Sequence, residues 1–182
     1  VSMYVCGPTV YNDPHIGNMR PVVVFDQWRR LFMALGYQVT YVSNYTDVDD
    51  KIIKRAKELG ISEKELTESV IAKFRHLVEE VGALQPDFTP KPTVYMPEMI
   101  SYINDLVQSE SAYVRGGDVY FRVSKDESYG CLSGNTPEAL MSGARIEVNS
   151  QKESPLDFAL WKATDEGIRW STPWSEGRPG WH

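Results

Sequence analysis

The order of strands and helices near the N-terminus predicts an α/β fold. Met3–Val5 is a short apolar run that predicts a buried strand, and the apolar residues that follow at helical spacing predict a helix that ends before Gly36. Gln38–Val42 is rich in β-forming residues and predicts a second strand. Because 42% of the 182 residues are hydrophobic, the chain can build the core of one large domain or two small ones. The apolar positions of the predicted helix are Pro21, Phe25, Trp28, Leu31, Phe32 and Leu35.

The segment between the first strand and this helix, PTVYNDPHIGN, predicts a nucleotide-binding loop. A strand, a glycine-containing turn and a helix start direct backbone N–H groups and the positive end of the helix dipole at one point, which favours a phosphate. His15 could donate to phosphate oxygens, and Gly17 would let a base or ribose approach the backbone closely. A His-x-Gly motif alone is also typical of a plain strand-to-helix loop with a surface histidine.

A cluster of acidic residues follows the second strand and precedes a predicted helix through Ile52–Leu59. Carboxylates at this position favour the positive end of the helix dipole, and we prefer this capping role for Asp49 and Asp50. Together with Asp47 they also resemble a magnesium site. Thr46 is an alternative N-cap for the same helix.

The next helix is predicted to begin at Ser62, where Glu65 completes a capping box. Four prolines between residues 85 and 97 then exclude a continuous helix, and a further helix is predicted over Glu98–Glu110. The predicted buried stripe after Ser62 consists of Leu66, Val70, Phe74, Leu77 and Val81.

The remainder of the chain favours β-structure. Ala112–Val123 predicts two strands joined at Gly116-Gly117, a hairpin signal, and Ser154–Lys162 predicts another strand. The later tryptophans are more typical of core and loop packing than of base stacking. They are Trp161, Trp170 and Trp174.

Composition narrows the classes of function. A net charge of −6 disfavours a dedicated nucleic-acid binder, although a local basic strip is present whose residues are more typical of a solvated helix face. There is no run of about 18 apolar residues and no N-terminal signal pattern, so we expect a cytoplasmic protein. Cys6 and Cys131 are expected to be reduced, and Cys6 taken alone fits a small buried hydrophobe. The local basic strip on the predicted helix consists of Lys51, Lys54, Arg55 and Lys57.

Two long segments, MYVCGPTVYNDPHIGN and YVSNYTDVDDKIIKRA, resemble the N-terminal catalytic half of the cysteinyl-tRNA synthetase family of class I aminoacyl-tRNA synthetases. Later segments fit in the same order, so that the resemblance covers essentially the whole chain; they are PEMISYINDLVQSESAYV, GDVYFRV, YGCLSG, GARIEV, SPLDFALWKA and GRPGWH. The resemblance implies a Rossmann-type nucleotide-binding catalytic domain with an inserted α+β connective domain. The implied bounds are 1–92 and 156–182 for the catalytic domain and 93–155 for the insertion.

The resemblance also implies a reaction and a set of site residues. Members activate L-cysteine with ATP and Mg²⁺ to cysteinyl adenylate and transfer cysteine to tRNA(Cys), and we expect a monomer. Cys6 is then a Zn²⁺ ligand, the remaining ligands being expected beyond His182 together with a lysine-rich loop. The implied ATP-binding residues are Pro8, Thr9, His15, Gly17 and Asn18, of which His15 and Asn18 are catalytic; the implied cysteine-binding residues are Cys6, Gly7, Thr46 and Trp181.

Asn18 departs from the family pattern, which has a second histidine at this position. Asparagine can donate a hydrogen bond but cannot carry a proton charge, so we expect weakened phosphate contact. With most of the implied ligands missing, the chain alone should hold zinc weakly and be inactive. Two alternatives stay open: the related cysteine ligase of mycothiol synthesis, and a non-catalytic nucleotide- or tRNA-binding module.

Overall fold

A computed structural model describes residues 1–135 and 151–180. The chain divides into two compact units, Val1–Met96 and Pro97–His182. Both contain helices and strands, which confirms the predicted mixture of helix and strand. Within the described ranges, none of the helices combines the length and the apolar character needed to cross a membrane.

The first unit is built on a parallel βαβ arrangement. Strands β1 (Ser2–Val5) and β2 (Thr40–Ser43) pair in parallel, and helix α1 (Ile16–Ala34) makes the crossover that parallel pairing requires. The segment around Phe88 adds to the other edge of β2, since Ser43 N donates to Phe88 O at 3.1 Å. The proline-rich segment therefore breaks the helical pattern, as predicted, and also extends the sheet.

Two helices cover this arrangement, α2 (Asp50–Leu59) and α3 (Glu63–Glu80). Asp49 is the N-cap of α2, which confirms its predicted role, whereas Thr46 is not a cap. At the start of α3 the predicted capping box between Ser62 and Glu65 is present. The core of the unit consists of Val10, Met19, Tyr45, Ile52, Ala56, Leu66, Val70, Ile71, Phe74 and Val78.

The predicted apolar stripe of α1 is only partly buried. Trp28, Leu31 and Leu35 are 51%, 49% and 64% exposed, while Arg29 is 8% exposed. Arg29 forms an ion pair of 2.9 Å with Asp87, whose other carboxylate oxygen accepts from the backbone of β2. The buried side of α1 thus includes a charged residue, which apolar periodicity does not detect, and Arg29 also lies over the Tyr41 ring of β2.

In its described residues, the second unit combines helix α4 with an antiparallel sheet. Helix α4 (Met96–Gln108) begins two residues before its predicted start and is followed by five strands in the order β3-β4-β5-β7-β6. The predicted hairpin is present, and both of its glycines have positive φ, 63° at Gly116 and 89° at Gly117. The strands are β3 (Ala112–Arg115), β4 (Asp118–Phe121), β5 (Phe158–Ala163), β6 (Trp170–Ser171) and β7 (Glu176–Pro179).

The boundary between the compact units lies at Met96, four residues after the predicted end of the first catalytic segment. β5 and β7, which fall in the predicted return segment 156–182, pair within the sheet that contains β3 and β4. The assignment of 156–182 to the catalytic domain, and of 93–155 to an insertion, stays a prediction. The segment GARIEV lies outside the described residues.

Candidate functional site

The loops that leave the carboxyl ends of β1 and β2 lie side by side. Thr9 and Thr46 form a parallel bridge, with Val10 N donating to Thr46 O at 3.1 Å and Thr46 N donating to Pro8 O at 3.0 Å. Ligands of open parallel α/β sheets bind beyond the carboxyl ends of the strands. The structure therefore brings the predicted nucleotide loop next to Thr46 at the edge where a ligand is expected.

His15 is the N-cap of α1. Its Nδ1 accepts from Gly17 N at 3.1 Å, and the side-chain oxygen of Asn18 accepts from His15 N at 2.9 Å. This is a reciprocal capping box built from His15 and Asn18. Because Nδ1 is the acceptor, the proton of the neutral imidazole lies on Nε2, which is then the donor atom of the ring.

The capping box occupies backbone N–H groups that were expected to be available to a ligand at the start of α1. We expected its N–H groups to face a ligand, but Gly17 N is bound by the His15 ring and Asn18 N donates to His15 O at 2.8 Å. The side-chain oxygen of Asn18 is engaged, and its amide nitrogen is the group that can donate to phosphate. The ATP roles of His15, Gly17 and Asn18 stay predictions.

Two cavities open at this end of the first unit. One, of about 160 Å³, is lined by Cys6, Gly7, Gly17 and Asn18 among others. The other, of about 60 Å³, is lined by residues of the nucleotide loop, among them Pro8, Thr9, His15 and Asn18. The larger of these two cavities is thus lined both by residues predicted to bind cysteine and by residues predicted to bind ATP. Trp181, which is also among the predicted cysteine-binding residues, lies outside the described residues.

A buried asparagine, whose role was not predicted from the sequence, connects two of the residues predicted to bind cysteine, Gly7 and Thr46. Asn44 follows β2 and is 9% exposed. Its Oδ1 accepts from Gly7 N and from the Tyr4 hydroxyl, both at 3.0 Å, and its Nδ2 donates to Thr46 Oγ1 at 3.1 Å. The only sequence signal is an asparagine two residues before Thr46 at a strand end.

The contact between Gly7 and Asn44 is close. A Cβ atom on Gly7 would lie 1.7 Å from the carbonyl oxygen of Asn44, so only glycine fits. Burial, and next the charge of Cys6, raise the pKa of Tyr4, which keeps its hydroxyl protonated as a donor to Asn44. The geometry around Gly7 is therefore set by backbone contact and by side-chain hydrogen bonds together.

Two lysine side chains, from α2 and α3, contact residues of the predicted nucleotide-binding loop. Lys73 of α3 lies 2.5 Å from Asp13, and Lys51 Nζ lies 5.4 Å from the centre of the Tyr11 ring. Lys51 belongs to the basic strip of Lys51, Lys54, Arg55 and Lys57. Its contact with Tyr11 favours the interpretation of the strip as a helix face.

The acidic cluster is engaged within the fold. Asp47 accepts from Thr93 N at 3.2 Å and from the Thr93 hydroxyl at 2.5 Å, and Asp49 Oδ1 accepts from Lys51 N at 2.9 Å. These contacts support a structural role for both carboxylates.

Among the residues that the structure describes, Cys6 is the single predicted zinc ligand. Cys6 is an exposed free thiol, so its interpretation as a buried hydrophobe is wrong. Residues 1–135 and 151–180 contain no group of three or more histidine, cysteine, aspartate or glutamate side chains that could hold a metal ion. A zinc site needs about four ligands, so these residues do not by themselves fit one. The zinc role of Cys6 stays a prediction.

Sequence comparison relates the whole chain to one family. The model of the class I (C) tRNA synthetase catalytic domain matches residues 1–182. The chain is 51% identical over 183 residues to a cysteine–tRNA ligase of Halalkalibacterium halodurans, covering 100% of this chain and 39% of the relative. It is 50% identical over 182 residues to that of Acholeplasma laidlawii, covering 100% and 42%. The chain thus spans about two fifths of the length of these curated relatives.

Two solved structures are similar in fold. Mycobacterium tuberculosis methionyl-tRNA synthetase, in complex with methionyl-adenylate, has a TM-score of 0.68 at 14% identity over 96% of this chain and 43% of that chain. The Agrobacterium radiobacter K84 LeuRS in its complex with tRNA and LeuAMS has a TM-score of 0.56 at 19% identity, covering 67% and 16%. At these identities the similarity concerns the fold alone, and it agrees with the predicted Rossmann-type architecture.

Proposed function

Because this chain belongs to the family of class I (C) tRNA synthetase catalytic domains, we propose that the protein it forms part of activates L-cysteine with ATP and transfers it to tRNA(Cys). One structural observation supports the proposal most directly. The cavity of about 160 Å³ is lined both by Cys6 and Gly7, expected to contact cysteine, and by Gly17 and Asn18, expected to contact ATP. The protein is proposed to act in the cytoplasm, as a monomer.

The first step is an in-line attack of the cysteine carboxylate on the α-phosphate of ATP, which forms cysteinyl adenylate and releases pyrophosphate as the bond between the α- and β-phosphates breaks. The work of the enzyme is to position the two reactants and stabilise the charge that develops on the phosphate. His15 Nε2 and the side-chain amide of Asn18 are the proposed donors to phosphate oxygens at the start of α1. Mg²⁺ would enter with ATP. Thr46 and Gly7 are proposed to contact the amino acid.

The test is amino-acid-dependent ATP–pyrophosphate exchange with the full-length gene product. Exchange with cysteine, and at least about 100-fold less with serine, is expected, because a site built for a thiol rejects the hydroxyl analogue. Acylation of tRNA rather than an amino sugar then identifies the acceptor. A folded, zinc-loaded preparation that exchanges with no amino acid contradicts the proposal and favours a binding module.

Cys6 is further proposed to bind zinc together with ligands outside the described residues. Cys6→Ser in the full-length gene product is expected to lower the zinc content and to raise the KM for cysteine more than tenfold, since serine is a far poorer zinc ligand. Cys131→Ser is the matched control, because Cys131 is also an exposed free thiol. Unchanged zinc content and cysteine KM in Cys6→Ser would contradict this role.

A further inference from the structure

We infer that Asn44 is a positioning residue for the amino-acid substrate, acting by fixing the direction in which the Thr46 hydroxyl donates its hydrogen bond. The inference rests on the proposed function. It concerns a residue that the sequence analysis did not single out, and it is carried by three hydrogen bonds to one buried side chain.

The orientation of the Asn44 amide is determined by its neighbours. Gly7 N can only donate, so the Asn44 atom at 3.0 Å from it has to be the oxygen. The same oxygen receives the Tyr4 hydroxyl at 3.0 Å. The amide nitrogen therefore faces Thr46, at 3.1 Å from Oγ1.

This orientation has a consequence for Thr46. Because Asn44 Nδ2 donates, Thr46 Oγ1 is the acceptor in their hydrogen bond, and the hydroxyl proton of Thr46 points elsewhere. The Thr46 hydroxyl is thereby prepared to donate to an acceptor outside the Asn44 network. In the proposed reaction the matching acceptor is an oxygen of the bound amino acid's carboxylate.

Asn44 also connects Thr46 to the other strand. Its oxygen holds Gly7 N, next to Cys6, and its backbone carbonyl lies against Gly7 so closely that a Cβ there would be at 1.7 Å. Asn44 thus links the Cys6–Gly7 backbone to the Thr46 hydroxyl, in addition to the backbone bridge between Thr9 and Thr46. Since Asn44 is 9% exposed and its amide is hydrogen-bonded at both atoms, it has little freedom to rotate.

Asn44→Asp tests the direction of the hydrogen bond with a change of one atom. Aspartate still accepts from Gly7 N and Tyr4, but it presents an oxygen to Thr46, whose hydroxyl must then donate inward. We expect the KM for cysteine in ATP–pyrophosphate exchange to rise roughly tenfold or more while the KM for ATP stays within about twofold. Asn104→Asp, the same change in helix α4 of the second unit, is the control and should alter neither constant.

Thr46→Val supplies a second test, because it removes the hydroxyl while residue 44 stays asparagine, with its hydrogen bonds to Gly7 and Tyr4 available. It should raise the KM for cysteine to a similar extent, and Asn44→Asp should add little in the Thr46→Val background. If the two constants move together in Asn44→Asp, or if Thr46→Val leaves the KM for cysteine unchanged, the inference is overturned. Absence of cysteine-dependent exchange in the unmodified protein overturns the proposed function instead.

Discussion

At the residue scale, the predicted position of His15 at the start of a helix is confirmed, but its hydrogen bonds were not predicted. A histidine at the start of a predicted helix indicated the loop correctly, because the motif lies between a strand and a helix that both exist. What the sequence did not reveal is that its Nδ1 and the Asn18 side chain close a capping box. Side-chain caps depend on rotamers and on loop geometry, which residue spacing alone does not determine. Asn44 was missed for the same reason.

The hydrogen bond between Tyr113 and Asp157, in the second unit, leads to a prediction about the free energy of unfolding. The Tyr113 hydroxyl donates to Asp157 at 2.8 Å and accepts from Glu153 N at 2.7 Å. Tyr113→Phe would leave the 1% exposed Asp157 one donor short, and we expect a loss of about 1–3 kcal/mol in the free energy of unfolding. Urea denaturation of the 182-residue chain at pH 8 measures it, with exposed Tyr102→Phe as the control.

The same pair predicts a pH dependence. Burial, and then donation to Asp157, raise the pKa of Tyr113 to about 12, above the value of 10.0 for a free tyrosine. A raised pKa means that the protonated form is favoured in the folded state, so its stabilisation is complete below about pH 10 and is lost as the pH rises through 12. The difference between wild type and Tyr113→Phe should therefore shrink between pH 10 and 12. A difference that grows over this range would exclude the assigned cause.

At the scale of elements, the signals with a local cause were reliable. The Ser62–Glu65 capping box, the break at the prolines and the Gly116-Gly117 hairpin all depend on neighbouring residues, and all three are present. The apolar face of α1 depends on what packs against it, and there periodicity was misleading. Arg29, rather than the apolar stripe, is buried there, because Asp87, whose carboxylate also accepts from the backbone of β2, pairs with it.

Helices α1 and α3 therefore respond differently to truncation of an aromatic residue. Phe74 of α3 is 6% exposed and packs edge-on against Tyr45 at 5.8 Å, so Phe74→Ala should cost about 3–5 kcal/mol of stability. Trp28 of α1 is 51% exposed, and Trp28→Ala should cost about 1 kcal/mol or less. Chemical denaturation of both variants of the 182-residue chain gives the comparison. Equal losses would mean that the face of α1 is packed after all.

At the scale of the whole chain, the predicted α/β class is confirmed, whereas the assignment of residues 93–155 to an insertion stays a prediction. The first unit follows from strand and helix periodicity along the N-terminal residues. The sheet of the second unit joins β3 and β4 to strands about 40 residues later, such as β5 at Phe158–Ala163. Pairing over such distances is decided by side-chain packing, for example around the fully buried Trp161, and leaves little trace in local sequence.

The two units lead to a prediction about additivity. Phe74 lies in the first unit and Tyr113 in the second, and the contacts that hold them share no residue. The effects of Phe74→Ala and Tyr113→Phe on stability should therefore add within about 0.5 kcal/mol in the double variant. Denaturant titrations of the two single variants and the double variant measure the coupling. A coupling above about 1 kcal/mol would contradict the independence of the two sites.

The close approach at Gly7 has a consequence for how this gene can change. Every single-base change in a glycine codon that alters the amino acid introduces a side chain with a Cβ atom or a stop. At this position that atom would lie 1.7 Å from the carbonyl oxygen of Asn44. Position 7 therefore tolerates no other residue, and a library with a fully randomised codon 7, screened for folded protein, should return only glycine codons.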